Sequence, residues 1–144
     1  MKRLGLVISI ILSFVRPVHA DTLRPLEEVF AQEQSPSMLI YVMKRCSGLY
    51  TAVSIRIEHS GRPNVADLVE SNKNLAFKFA SVAQSIAEKR NLNQPFSKIV
   101  EDAMKLTSIY DEMMDEHYLR TGNAFSGLVT DDLFLCKAII EAIK

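Results

Sequence analysis

The sequence predicts an all-α fold, an up-down-up-down four-helix bundle preceded by a short N-terminal strap. Apolar residues recur at spacings of three and four along four long segments, which is typical of amphipathic helices. The connections between these segments contain proline, glycine and asparagine and are short, so successive helices are expected to be antiparallel neighbours. Residues 51–57 alternate like a strand, but they lie inside a longer helical pattern that favours the helix.

The first long helix, within residues 35–58, is expected to hold the core and to be the element around which the rest of the chain packs. Ser35 and Pro36 are typical of a helix start, because serine caps free backbone amides and proline suits the first helical position. The turn at residues 60–63 predicts an end near His59. The expected inward-facing residues are Leu39, Met43, Cys46, Tyr50, Val53 and Ile57, and the expected outer face carries Lys44, Ser47, Thr51, Ser54 and Glu58.

Two further helices follow. Asn64 and Asp67 resemble a capping box, and Asn72 interrupts the apolar face of the second helix, where it either fixes the register between helices or lies at an edge in contact with water. Gly122 is a typical stop for the third helix. The expected inward-facing residues are Val65, Leu68, Leu75, Phe79, Val82 and Ile86 in the second helix, and Phe96, Ile99, Ala103, Leu106, Tyr110 and Met113 in the third.

The two ends of the predicted domain are less regular. Residues 21–34 form the strap, which includes a possible short helix. The last helix is expected to begin at residues 130–132, where a threonine and two acids suit a helix N-terminus, although a start as early as Ala124 is compatible with the pattern. Its inward residues are expected to be Leu133, Cys136, Ile140 and Ile143.

Residues 1–20 predict a cleaved secretory signal peptide. Lys2 and Arg3 precede an apolar run, Arg16 ends this run well short of a membrane span, and small residues precede a cleavage site before Asp21. We therefore expect a single mature domain, residues 21–144, in the periplasm or the secreted space, with no stable membrane anchor after cleavage.

Charge argues against nucleic acid as a partner. The chain has 17 basic and 17 acidic residues, and removal of Lys2, Arg3 and Arg16 leaves 14 basic against 17 acidic, a net charge of −3. The adjacent basic residues at 44–45 and 89–90 are isolated pairs rather than the concentrated basic face that phosphate binding requires.

The two cysteines, Cys46 and Cys136, are expected to form a disulfide between the first and last helices. An even number of cysteines in an exported chain favours pairing. Both lie on predicted inward faces, and the first and fourth helices of such a bundle are neighbours. Two alternatives remain, buried free thiols or a thiol at Cys46 made reactive by Lys44 and Arg45.

One acidic segment of the third helix offers potential metal ligands: Asp111, Glu112, Asp115, Glu116 and His117. Asp111 and Asp115 share one helix face, as do Glu112 and Glu116, so the segment could supply half of a metal site. Di-iron bundles, however, use a Glu-x-x-His pair, and the residue three before His117 is Met114. A solvated acidic face is the alternative interpretation.

No pattern in the sequence specifies an enzyme or a cofactor. No serine lies in a nucleophile-elbow motif, no glycine-rich loop suits a phosphate, and the mature chain has only His59 and His117. Residues 35–50, with a preceding signal peptide and Cys136, resemble small exported helical proteins of unknown function from marine bacteria and their phages. The resemblance implies an exported helical protein and brings no activity with it.

These observations favour a non-catalytic binding module whose outer helix faces contact another protein or an envelope component. A metal-binding bundle that uses the Asp111 to His117 segment is the alternative.

Overall fold

The computed structural model describes residues 23–32, 34–125 and 127–143, and in these residues it is helical without any strand. The helices are α1 (Leu26–Gln32), α2 (Pro36–Glu58), α3 (Ala66–Lys89), α4 (Phe96–Thr121) and α5 (Gly127–Ala142). The predicted all-α class is confirmed. The predicted signal peptide, residues 1–20, and the predicted first mature residue, Asp21, lie outside the described residues. None of the described helices is both long and apolar enough to cross a bilayer.

Helix α2 is the central element of the fold. Every residue from position 42 to position 50 is buried, and α1, α3, α4 and α5 all contact this helix. The expectation of a polar outer face on α2 is therefore wrong at Lys44, Ser47 and Ser54, which are buried because neighbouring helices cover more than one side of α2. Lys44 retains a partner, since its Nζ donates to Asp102 Oδ2 of α4 at 2.9 Å.

Helices α2 and α4 run in the same direction and cross closely at Gly48. A Cβ atom at Gly48 would lie 2.7 Å from the carbonyl oxygen of Ala103 and 3.0 Å from the amide nitrogen of Thr107. The Thr107 hydroxyl donates to the Gly48 carbonyl at 3.2 Å across the same crossing. The missing side chain thus allows the two backbones to approach. A parallel first and third helix is compatible with an up-down-up-down bundle, whose complete topology stays a prediction.

Gly48→Ala is expected to destabilise the protein by about 1–3 kcal/mol, although alanine is the better helix former, because the added methyl group meets backbone atoms that cannot rotate away. Urea denaturation of the oxidised protein measures the change. Ser71→Ala, at an exposed position of α3, is the matched control and should leave stability almost unchanged. A Gly48→Ala protein as stable as the wild type would contradict the close crossing.

The predicted helix ends are confirmed where a specific cap is present. Ser35 Oγ accepts a hydrogen bond from the Met38 amide at 3.2 Å, and Gly122 ends α4 in the left-handed conformation with φ of 75°. The predicted capping box is wrong, because α3 begins at Ala66 and Asn64 has φ of 59°, a conformation unlike the extended backbone of an N-cap.

The start of the last helix differs from the preferred prediction. Helix α5 begins at Gly127, so Thr130, Asp131 and Asp132 lie within the helix instead of preceding it. Asp132 consequently faces the interior and is buried.

Helix α3 packs through small residues. Ala76, Ala80, Ala83 and Ala87 are buried with Phe79, whereas the residues expected inside at 65, 75, 82 and 86 are only partly buried. The buried stripe is displaced from the predicted one because alanines allow the helix axes to approach more closely than leucine or isoleucine would. Other residues predicted to face inward that are exposed are Leu68, Phe96 and Ile143.

Candidate functional site

A buried polar network joins Arg45 of α2, Tyr110 of α4 and Asp132 of α5. The Arg45 guanidinium pairs with Asp132 Oδ2 through Nη2 and donates to the Tyr110 hydroxyl through Nε at 3.0 Å. The Tyr110 hydroxyl in turn donates to Asp132 Oδ2 at 2.5 Å. The Arg45 and Asp132 side chains are 0% and 1% exposed.

The backbone of the N-terminal segment completes this network. The amide of Leu26 donates to Asp132 Oδ1 at 2.8 Å, and the carbonyl of Arg24 accepts from Arg45 Nη1 at 2.6 Å. Both Asp132 oxygens and all three Arg45 nitrogens therefore have partners. The network joins the predicted strap to three other helices, which gives the strap a fixed position against α5.

Burial and neighbouring groups together set the protonation states of Tyr110 and Arg45. Loss of solvent raises the pKa of the Tyr110 hydroxyl well above its ordinary value, so the hydroxyl stays neutral and can donate to Asp132. Burial by itself lowers the pKa of Arg45, but the nearby Tyr110 and Asp132 outweigh this effect and raise that pKa. A closed set of satisfied groups without solvent access is suited to holding helices together, not to binding a substrate.

The predicted disulfide between Cys46 and Cys136 is confirmed. Its S–S distance is 2.01 Å and the two Cα atoms are 5.6 Å apart. No described cysteine is free, so the reactive-thiol and buried-thiol alternatives are wrong. The bond lies next to the ionic network, because Cys46 follows Arg45 in α2 and Cys136 lies one helical turn after Asp132 in α5.

The acidic segment of α4 is divided between two sides of the helix. Asp111 and Asp115 face α2, where Arg56 Nη2 lies 2.6 Å from Asp111 Oδ1 and Arg56 Nη1 lies 2.5 Å from Asp115 Oδ1. The hydrogen bond from Arg56 lowers the pKa of Asp115. These two carboxylates thus serve an interhelical ion pair.

The other members of the predicted metal cluster point elsewhere. Glu112 and Glu116 are exposed, and His117 Nδ1 lies 2.5 Å from the carbonyl oxygen of Asn123, which places it at the end of α4. Among the residues that the structure describes, no group of three His, Cys, Asp or Glu side chains is arranged to hold a metal ion. The geometry therefore gives the metal-binding alternative no assembled site.

Asn72 is buried, and its Nδ2 donates to the Leu68 carbonyl of its own helix at 2.7 Å. The alternative that Asn72 lies at an edge in contact with water is therefore wrong. Because this hydrogen bond stays within α3, it does not link helices, and a role in fixing the register stays a prediction.

The strongest candidate for a functional site is an apolar surface on α3 and α4, formed by Phe77, Phe96, Val100 and Met104. The rings of Phe77 and Phe96 meet edge to face, with centroids 6.1 Å apart. Positions 96, 100 and 104 lie on one side of α4 at one-turn spacing. Phe77 is 65% exposed and Met104 is 51% exposed, so the surface is open to solvent.

The sequence contains a signal for the apolar surface but none for the buried ionic network. The four-residue spacing of Phe96, Val100 and Met104 is visible in the sequence, and it marks a second apolar stripe outside the buried face of α4. Arg45 and Asp132, in contrast, are 87 positions apart, and nothing local to either residue indicates the other.

Comparison with known proteins adds no relative. No protein-family model, curated protein or solved structure matches the chain. The resemblance to exported helical proteins of marine bacteria and phages thus stays a prediction. A proposal of function therefore depends on the geometry of the described residues.

Proposed function

We propose that the protein is a non-catalytic binding module of the periplasm or the secreted space, and that it binds another protein through the apolar surface of α3 and α4. The observation that carries this proposal is the exposure of Phe77, Phe96, Val100 and Met104 together on two adjacent helices. Exposed aromatic residues and methionine that lie side by side are typical of protein interfaces.

The charges beside this surface suit a reversible contact. Lys98 and Lys105 both pair with Glu101, at 3.1 and 2.6 Å, along the exposed side of α4. An apolar centre with a charged margin is the usual arrangement of a protein interface, in which the centre supplies most of the affinity. Because the flanking charges of both signs neutralise one another, they provide no basic field for a nucleic acid or an anionic membrane.

Export is supported by the disulfide. Disulfides form and persist in oxidising compartments, and the Cys46–Cys136 bond joins two buried positions of the fold. The signal-like character of residues 1–20 agrees with the same location. We also propose that the protein is not an enzyme. The charged side chains of the ionic network, Arg45 and Asp132, are buried, so a substrate could not reach them.

The test is capture of proteins from an envelope extract by the oxidised protein and by two variants. Phe77→Ser/Met104→Ser removes the two most exposed apolar side chains of the surface, and its retention of a partner should fall at least about tenfold. Phe134→Ser, on α5, changes an apolar side chain that is 70% exposed and should leave retention unchanged. Circular dichroism checks that all three proteins are equally folded.

A partner held equally by the wild type and by Phe77→Ser/Met104→Ser would refute this surface as the binding site. Loss of the partner from the Phe134→Ser variant would instead transfer the interface to α5.

A further inference from the structure

A separate cleft lies at the end of the domain where α2 and α4 finish. Two segments form its walls, the α2–α3 turn at residues 59–65 and residues 122–125 after α4. Gly61 and Gly122 adopt positive φ of 67° and 75°, which lets both chains reverse beside the cleft. The cleft has a volume of about 420 Å³, within the range of small-molecule sites.

The lining of the cleft combines polar side chains, one of them the cationic Arg62, with apolar groups. Arg62 and His59 are exposed side chains on one turn, and neither side chain makes a hydrogen bond or ion pair with the described residues. Tyr118, Phe125 and Leu68 supply apolar surface, and each is more than a third exposed. No acidic side chain lines the cleft among the described residues.

Arg56 also lines the cleft, but its charge is already balanced. Its two terminal nitrogens hold Asp111 and Asp115, whereas its Nε is buried and has no acceptor among the described residues. Arg56 therefore braces the wall and offers at most one further donor. Recognition of a negative group falls to Arg62, since its guanidinium has no carboxylate partner among the described residues. His59 lies on the same turn and can add a hydrogen-bond donor.

We propose that this cleft binds a small anionic amphiphile, a molecule with one carboxylate and an apolar chain or ring. The carboxylate would meet the Arg62 guanidinium, which can donate two parallel hydrogen bonds, and the apolar part would lie against Tyr118, Leu68 and Phe125. An ammonium headgroup would meet like charge at Arg62, so the sign of the head decides binding. This site is independent of the apolar surface on α3 and α4, and either proposal can fail alone.

The experiment is a titration of the oxidised, isotope-labelled protein with decanoate below its micelle concentration, followed by amide chemical shifts. Saturable shifts are expected at Arg62, Asn123 and Phe125. Decyltrimethylammonium has the same chain with a positive head, and acetate has the same head without the chain. Both should bind at least about tenfold more weakly, because the first lacks the carboxylate and the second lacks the apolar chain.

Two variants locate the interaction. Arg62→Gln should weaken decanoate binding at least about tenfold, whereas Arg90→Gln, at another exposed arginine just after α3, should not change it. Since both arginines are exposed, neither change is expected to affect folding. Equal binding of decanoate by the wild type and by Arg62→Gln would overturn the proposal. Shifts confined to the surface of Phe77 and Met104, or equal binding of the two charged amphiphiles, would overturn it as well.

Discussion

Reduction of the Cys46–Cys136 disulfide is expected to lower the melting temperature of the protein by roughly 15–20 °C. The bond joins residues 90 positions apart, so it closes most of the described chain into one loop. On the chain-entropy account, a loop of this length restricts the unfolded ensemble enough to stabilise the folded state by about 4.5 kcal/mol. Because small domains have net stabilities of only about 5–15 kcal/mol, this single bond accounts for a large part of the total.

Thermal denaturation with and without reducing agent measures the effect, with Cys46→Ser and Cys136→Ser as the matched variants. Each variant should melt near the temperature of the reduced wild type, and reducing agent should not lower it further. Thiol titration of the denatured, unreduced wild type gives an independent count. Two free thiols per chain would contradict the disulfide. A melting temperature that reduction leaves unchanged would contradict its contribution to stability.

The disulfide was predictable because two different kinds of sequence information agree on it. Export favours pairing, and helical spacing places Cys46 and Cys136 on inward faces without any knowledge of how the helices pack. The start of α2 and the end of α4 were predictable for a similar reason. Ser35 with Pro36 and Gly122 act on the backbone nearest to them, so neighbouring residues suffice to recognise them.

The central place of α2 was predicted, but the burial of its polar side was not predictable in the same way. Lys44, Ser47 and Ser54 have the polarity of a solvated face, and only the packing of several helices around α2 shows that they are buried. Gly48 illustrates the difficulty. In the sequence Gly48 is an unfavourable residue for a helix interior, and in the structure it is a place where the backbone of α4 approaches closely.

The candidate sites also differ in whether the local sequence is enough to predict them. The Asp111 to His117 segment is dense in potential ligands, but helical geometry turns its members in different directions, and Arg56 takes two of the carboxylates. Arg56 belongs to another helix, so its role cannot be read from the segment itself. The apolar residues Phe96, Val100 and Met104 follow a one-turn spacing, and that stripe could have been recognised in the sequence.

Asp132→Leu is expected to destabilise the protein by about 3–5 kcal/mol. The substitution leaves the Arg45 guanidinium buried without its carboxylate, and arginine does not give up its proton to escape this situation. It also removes the acceptor of the Leu26 amide, so the N-terminal segment should separate from α5. Urea denaturation measures the free energy of unfolding, and hydrogen exchange at Leu26 and Val29 reports on the attachment of α1.

Arg45→Met should cost less than Asp132→Leu, although it breaks the same ion pair. The Asp132 carboxylate would still accept from the Tyr110 hydroxyl and the Leu26 amide, and unlike a guanidinium it can be neutralised by protonation. The double variant Arg45→Met/Asp132→Leu replaces both charges by apolar groups, so its stability should exceed that of Asp132→Leu. A double variant whose loss equals the sum of the two single losses would mean that Arg45 and Asp132 stabilise the fold independently. The expected shortfall from that sum is the coupling that the buried pair provides between α2 and α5.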